Sequence, residues 1–208
     1  MIRRVLTAFI GLTALFVPLT AANAAVLVGQ TVVEPTFDFD SAGLTPSLLG
    51  DAGTTSEGYL SFPITGGNLG VGLIEHENSG VRLTAGSVFV DLENFLIDIS
   101  DPANGTISAD VSASTGAMVA DAPVFSFDLT SVSDPFDLSN PTIELLFTAA
   151  ASSLLNSVFN LGDPDALTGA RFGFAATAPS EVPLPAAAWL FLAGAGALGM
   201  SRRKKAIA

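Results

Sequence analysis

The chain has 208 residues, 49% apolar and 13% charged, with no Cys and one His, one Tyr and one Trp. That length suits a single domain, the apolar content excludes a disordered chain, and the lack of Cys removes disulfides, thiolate zinc sites and cysteine nucleophiles. All twenty acids fall between Glu34 and Glu181, where Arg82 and Arg171 are the only cations, so this middle region carries a net charge of −18; such a surface repels nucleic acid and attracts cations.

Residues 1–24 have the layout of an export leader. Arg3 and Arg4 give the positive start, residues 5–19 an apolar stretch with Phe9, Ile10, Leu12, Leu15 and Phe16, and Ala22 and Ala24 the small side chains that signal peptidase requires. Ala25 is then the first residue of the mature chain. A leader of this kind predicts a signal helix and export through the inner membrane.

The middle, residues 25–176, reads as an acidic, mainly β domain, sandwich- or barrel-like, with one amphipathic helix. Gly66, Gly67, Gly70 and Gly72 crowd one stretch that lacks the Lys and the βαβ frame of a phosphate loop, so a turn is expected there. Residues 88–99 are rich in β-branched and aromatic side chains, suiting a strand pair or one bent strand. Asp101, Pro102, Asn104 and Gly105 punctuate. Residues 106–114 alternate, with Ile107, Ala109, Val111 and Ala113 on one face, and 124–129 and 142–148 continue the strand signal. Ala151, Leu154, Leu155, Val158 and Phe159 instead repeat at helical spacing, with Thr148 as N-cap and Gly162-Asp163-Pro164 as the stop. A last strand is expected over 169–176, and 177–181 reads as a linker.

Catalytic parts are sparse. His76 is the sole imidazole, and no Gly-x-Ser-x-Gly elbow accompanies it. Asp38/Asp40, Glu75/Glu77 and Asp163/Asp165 are carboxylate pairs that a hydrolase could use, but in so acidic a chain such pairs arise by composition, and this reading ranks last. The loops at 101–105 and 162–165 lack the full calcium-loop pattern and read as turns. The plain reading of His76 is a solvent-facing histidine between two glutamates.

The C-terminal segment, 182–205, has three parts in order. Val182, Pro183, Leu184, Pro185 and Ala186 form a proline-fenced motif, residues 186–200 form an uncharged run that predicts a transmembrane helix, and Arg202, Arg203, Lys204 and Lys205 close it. The cations place the tail in the cytoplasm, while the leader places the middle outside, so both ends give one topology. These residues resemble the VPLPA variant of the PEP-CTERM sorting signal. The resemblance implies an exported protein held in the inner membrane until an exosortase cuts near the motif, and then passed to the cell surface or its exopolysaccharide. Signal peptidase and exosortase are the implied processing partners. A structural or interaction role in that layer follows, with no catalysis and no cofactor.

A second resemblance lies in the middle. Ile74, Glu75, His76, Gly80 and Leu83 precede the strand at 88–99, and Leu146, Phe147, Leu154 and Leu155 lead to a closing Gly169-x-x-Phe172-Gly173. This is similar to HtaA-type β domains, which implies a surface ligand-binding domain with haem as first candidate ligand. His76 is the residue the motif carries across; Tyr59 is a further candidate by chemistry alone.

Overall fold

The computed structural model describes residues 25–183. The leader, Leu184, Pro185 and Ala186, the predicted transmembrane helix over 186–200 and the basic cluster Arg202–Lys205 lie outside the described residues. Among the described residues no helix is long and apolar enough to cross a membrane.

The elements in chain order are β1 (Ala25–Pro35), β2 (Thr45–Gly50), β3 (Gly53–Thr54), β4 (Leu60–Ile64), β5 (Gly66–Asn68), β6 (Leu73–Ala85), β7 (Val88–Asp98), β8 (Gly105–Ala113), β9 (Met118–Phe127), β10 (Ile143–Phe147), α1 (Ala149–Phe159) and β11 (Arg171–Pro183). They form one antiparallel sheet that runs β6-β7-β8-β9-β10-β11-β1-β4 and curls almost onto itself. Of the sandwich and barrel alternatives, this is the barrel-like one. The seam lies between β4 and β6. On one half of β6, Thr65 bridges it: its N–H donates to the Glu75 carbonyl at 2.9 Å, and the Glu77 N–H donates to Thr65 Oγ1 at 2.7 Å. On the other half β2 pairs with Ser79–Thr84 of β6, then continues as β3, which pairs with β4. One stretch of chain thus passes from one lip of the seam to the other, and the short strands β2 and β3 are the ends of the strand order.

Alternation explains the interior. In β8, Ile107, Ala109 and Val111 are buried between half-exposed polar neighbours, the period-two pattern of a strand with one wet face. Of residues 88–99, Val88–Asp98 form one bulged strand, not a pair. One end of the barrel is closed by α1, whose Ala151 and Leu155 are buried, and by Phe37 and Phe39, which pack edge-on against Phe147 and Phe172 at 5.5 and 6.0 Å.

Three sequence expectations shift. The helix stops at Asn160, which takes the left-handed conformation at φ 54° and donates its N–H to the Asn156 carbonyl; Gly162-Asp163-Pro164 lies beyond that cap. The glycine-rich stretch contains a short strand, β5, before its turn. Residues 177–181, expected as a linker, are the outer half of β11, paired with β1. Thr177 within them is buried, because it lies opposite Thr31 of β1 and the two hydroxyls meet at 2.8 Å.

Candidate functional site

Three of the buried polar side chains are linked to one another: Thr31 of β1, His76 of β6 and Thr177 of β11. Strand alternation buries them. Glu75 and Glu77 point out to water, so His76 between them points in, and its residue exposure is 1%. The solvent-facing reading of this histidine is therefore corrected. His76 Nε2 and Thr31 Oγ1 are 2.8 Å apart, and Thr31 Oγ1 and Thr177 Oγ1 are also 2.8 Å apart. The three groups form a relay across the seam. Nδ1 of His76 is buried without a hydrogen-bond partner. Burial pushes the imidazole pKa down to about 4, and the Phe95 backbone opposite it acts weakly the other way. The ring is thus neutral in neutral solution.

The relay joins two voids. Beside His76, a cavity of about 40 Å³ is walled by Phe62, Phe95, Phe125 and Phe172, room for roughly one or two water molecules. Beyond Thr31 and Thr177 lies a cavity of about 330 Å³. Its walls are Ile74, Ile97, Ile107, Phe127, Ile143 and Leu145, and its roof is Leu69, Leu129, Pro135 and Phe136. Phe136 is 61% exposed, so this cavity reaches the surface beneath the loop over 128–142. The Thr177 N–H donates to the Pro135 carbonyl at 2.9 Å and fastens that loop to β11. Antiparallel order puts the start of β1 and the end of β11 at this same rim, opposite the helix-closed end.

The haem implied by the resemblance does not fit on His76. The ring is enclosed, Nε2 is engaged by Thr31, and the adjoining void is far smaller than a porphyrin. Tyr59 sits in the turn before β4, its backbone bonded to Thr55. It lines neither cavity, so the structure does not bring it together with His76.

The carboxylates gather on the outer side of the same strands. Glu75, Glu77, Asp110 and Asp121 line, together with His76 and Phe95, an outer groove of about 370 Å³. Both Asp110 oxygens are already engaged, by the Asn94 amide at 3.0 Å and the Asp121 N–H at 3.3 Å. Asp38 binds Ser41, and Asp163 accepts from the Asp165 N–H; both sit in turns. Asp101 likewise closes its loop through Ala103 and Asn104. Among the described residues, no three His, Asp or Glu side chains are placed to hold a metal ion.

Thr31, Thr177 and Phe136 were not legible as site residues. Threonine is an ordinary strand residue, and Phe136 lies in a loop whose position depends on the closed barrel. The one available signal was the Glu75-His76-Glu77 alternation, which on a strand sets the imidazole opposite the two acids.

The molecule is thus a mainly β, nearly closed barrel-like domain with an enclosed polar relay and an apolar cavity at one rim. No family model and no curated protein matches the chain. Two solved structures are similar to it, both domains of HtaA from Corynebacterium glutamicum. The C-terminal domain shares 15% identity at a TM-score of 0.47, over 73% of this chain and 98% of that one. The N-terminal domain shares 13% identity at 0.45, over 76% and 99%.

Proposed function

We propose that this chain is an exported cell-surface binding protein whose barrel holds a small apolar molecule in the cavity under the loop over 128–142. One observation carries the reading. The cavity of about 330 Å³ is walled by aliphatic and aromatic side chains, and among the described residues Thr31 and Thr177 are the only ones with polar side chains that line it. Sites for small molecules run from roughly 300 to 1,000 Å³ and share that make-up, apolar walls with a few placed polar atoms. Delivery rests on the sequence: the leader ending at Ala24, and the motif Val182–Ala186 with its apolar run and cations, support export, anchoring in the inner membrane and exosortase processing. The role is binding and not catalysis.

The test uses the full chain in a lipid nanodisc and the neutral fluorescent probe N-phenyl-1-naphthylamine. Probe fluorescence should rise on adding protein over empty discs. Phe136→Asp, which sets a charge at the exposed mouth, should weaken binding by at least about tenfold, the equivalent of roughly 1.4 kcal/mol. No rise with folded protein would overturn the reading. Haemin is the second ligand: a Soret shift abolished by His76→Ala would reinstate haem at that residue.

A second reading, adhesion to neutral exopolysaccharide, is favoured by an outer groove of about 630 Å³. There Thr106, Ser126, Thr142 and Glu144 line the groove with Phe174, whose ring carries the Arg171 guanidinium at 5.0 Å, itself paired with Glu144.

A further inference from the structure

The polar relay has a free end, and that end is in the cavity. A hydroxyl offers one donor and two acceptor sites. Thr31 Oγ1 spends two of its three, on His76 Nε2 and on Thr177 Oγ1. Among the described residues, Thr177 Oγ1 has Thr31 as its one partner. Whichever ring nitrogen of His76 carries the proton, Thr177 keeps unused hydrogen-bonding capacity, and it lines the cavity wall. A buried hydroxyl with spare capacity in an otherwise apolar chamber marks where a ligand's polar atom belongs.

The sign of that atom's charge also follows. Among the described residues, no cationic or anionic side chain lines the cavity. Arg82 lies on the outer face against Asp91, and Arg171 against Glu144. The imidazole at the far end of the relay stays neutral, because burial holds its pKa at about 4. A carboxylate brought in would be buried without a counter-charge, which costs far more than two neutral hydrogen bonds return.

We propose that the cavity selects a neutral molecule with an apolar body and a single hydrogen-bonding oxygen, a medium-chain alcohol or ketone, seated with that oxygen on Thr177, and that it rejects carboxylates of the same length. The selection rests on the cavity reading above. Thr177 is then the specificity-determining residue, with Thr31 and His76 positioning its hydroxyl.

The experiment displaces N-phenyl-1-naphthylamine from the full chain in nanodiscs with decane, 1-decanol or decanoate at pH 8, correcting each for its partition into empty discs. Decanol should compete well and decanoate at least about tenfold less well, the step expected for an unpaired buried charge. Thr177→Val should weaken decanol about five- to tenfold, as one lost hydrogen bond does, and leave decane unchanged. Thr177→Ser, which restores the hydroxyl, should recover decanol binding. Melting curves of both variants check that the barrel is intact. If the probe never binds, the cavity reading fails. If the probe binds but decane, decanol and decanoate displace it alike, or Thr177→Val leaves decanol untouched, the selection for a neutral oxygen is overturned and the cavity reading stands.

Discussion

Ala25 and Pro183 are cross-strand partners, the last rung of the β1–β11 ladder. Antiparallel partners sit about 5 Å apart, so the expected signal-peptidase site and the proline-fenced motif leave the domain at one point. The ladder holds the motif's first two residues, with Val182 opposite Val26. Gly29 lets the strands approach so closely: its φ is 134°, and a Cβ there would meet the Ala178 carbonyl oxygen at 2.2 Å. If the chain is processed as proposed, an uncleaved leader would leave the domain beside the segment proposed for exosortase to grip. Blocking the first cut with Ala22→Leu and Ala24→Leu should also suppress the second. A Gly/Ser linker of about twelve residues inserted before Val26 in that variant should restore the second cut by moving the leader away. Intact-mass measurement of the protein from cells reads both events. A blocked leader with normal C-terminal trimming would refute the coupling.

His76 makes stability depend on pH in a definite window. Its folded pKa of about 4 lies below the ordinary 6.5, so the folded state disfavours protonation. The stability linked to the neutral ring is full above pH 6.5 and is lost as pH falls from there through about 4. At about 1.4 kcal/mol per pKa unit, the domain should be roughly 2 kcal/mol weaker at pH 5 than at pH 8. Asp98, Asp128 and Asp137 are held below 3.8 by Ser100, Thr130 and Ser139, so their stabilisation goes only at lower pH. Glu75 and Glu77 flank the ring in sequence but face water. Urea midpoints at pH 8 and pH 5 should converge in His76→Leu. An unchanged pH slope in that variant would assign the effect to other groups.

The second half of the barrel was legible because its strands are long and alternate cleanly: Ile107-x-Ala109-x-Val111 and the helix from Ala149 could be read directly. The first half was not. β3 and β5 have two and three residues, too short for any period, and β6 carries Glu75, Glu77, Asn78 and Ser79 in its middle. Closure of the barrel depends on Thr65 meeting Glu75 and on β2 handing over to β3, contacts with no local signature. The relay was hidden for the same reason: Thr31, His76 and Thr177 are far apart in sequence and become neighbours only when β1 lies between β11 and β4, with β6 across the seam from β4.

The helix that closes the far end hangs on one residue. Thr148 Oγ1 accepts from the Ala151 N–H at 3.1 Å and donates to the Pro123 carbonyl. It therefore caps α1 and ties it to β9. Thr148→Ala should cost about 1–2 kcal/mol, while Thr148→Ser should cost less than half of that. Amide exchange should quicken across 149–159 and much less in β7. Uniform quickening over the whole barrel would show that α1 is not a separate closing element.

Across the four neighbouring strands β6 to β9, three break register: β6 between His76 and Gly80, β7 between Glu93 and Leu96, and β9 opposite Ala109 and Val111. At these breaks Asn78, Asn94 and Asp121 take positive φ of 56°, 54° and 50°. Side chains sew the bulges together. The Asn78 N–H donates to Asn94 Oδ1 at 3.0 Å, and the Asn94 amide donates to Asp110. Aligned bulges add twist where a sheet must curve shut, so this row is where the barrel bends. Two contributions of Asn94 can be separated. Asn94→Gly keeps the left-handed backbone and loses the hydrogen bonds, for about 1 kcal/mol. Asn94→Ala loses both, and should cost about 1–2 kcal/mol more. Equal urea midpoints for the two variants would mean that the row carries no backbone strain, and that the curvature of the wall has another origin.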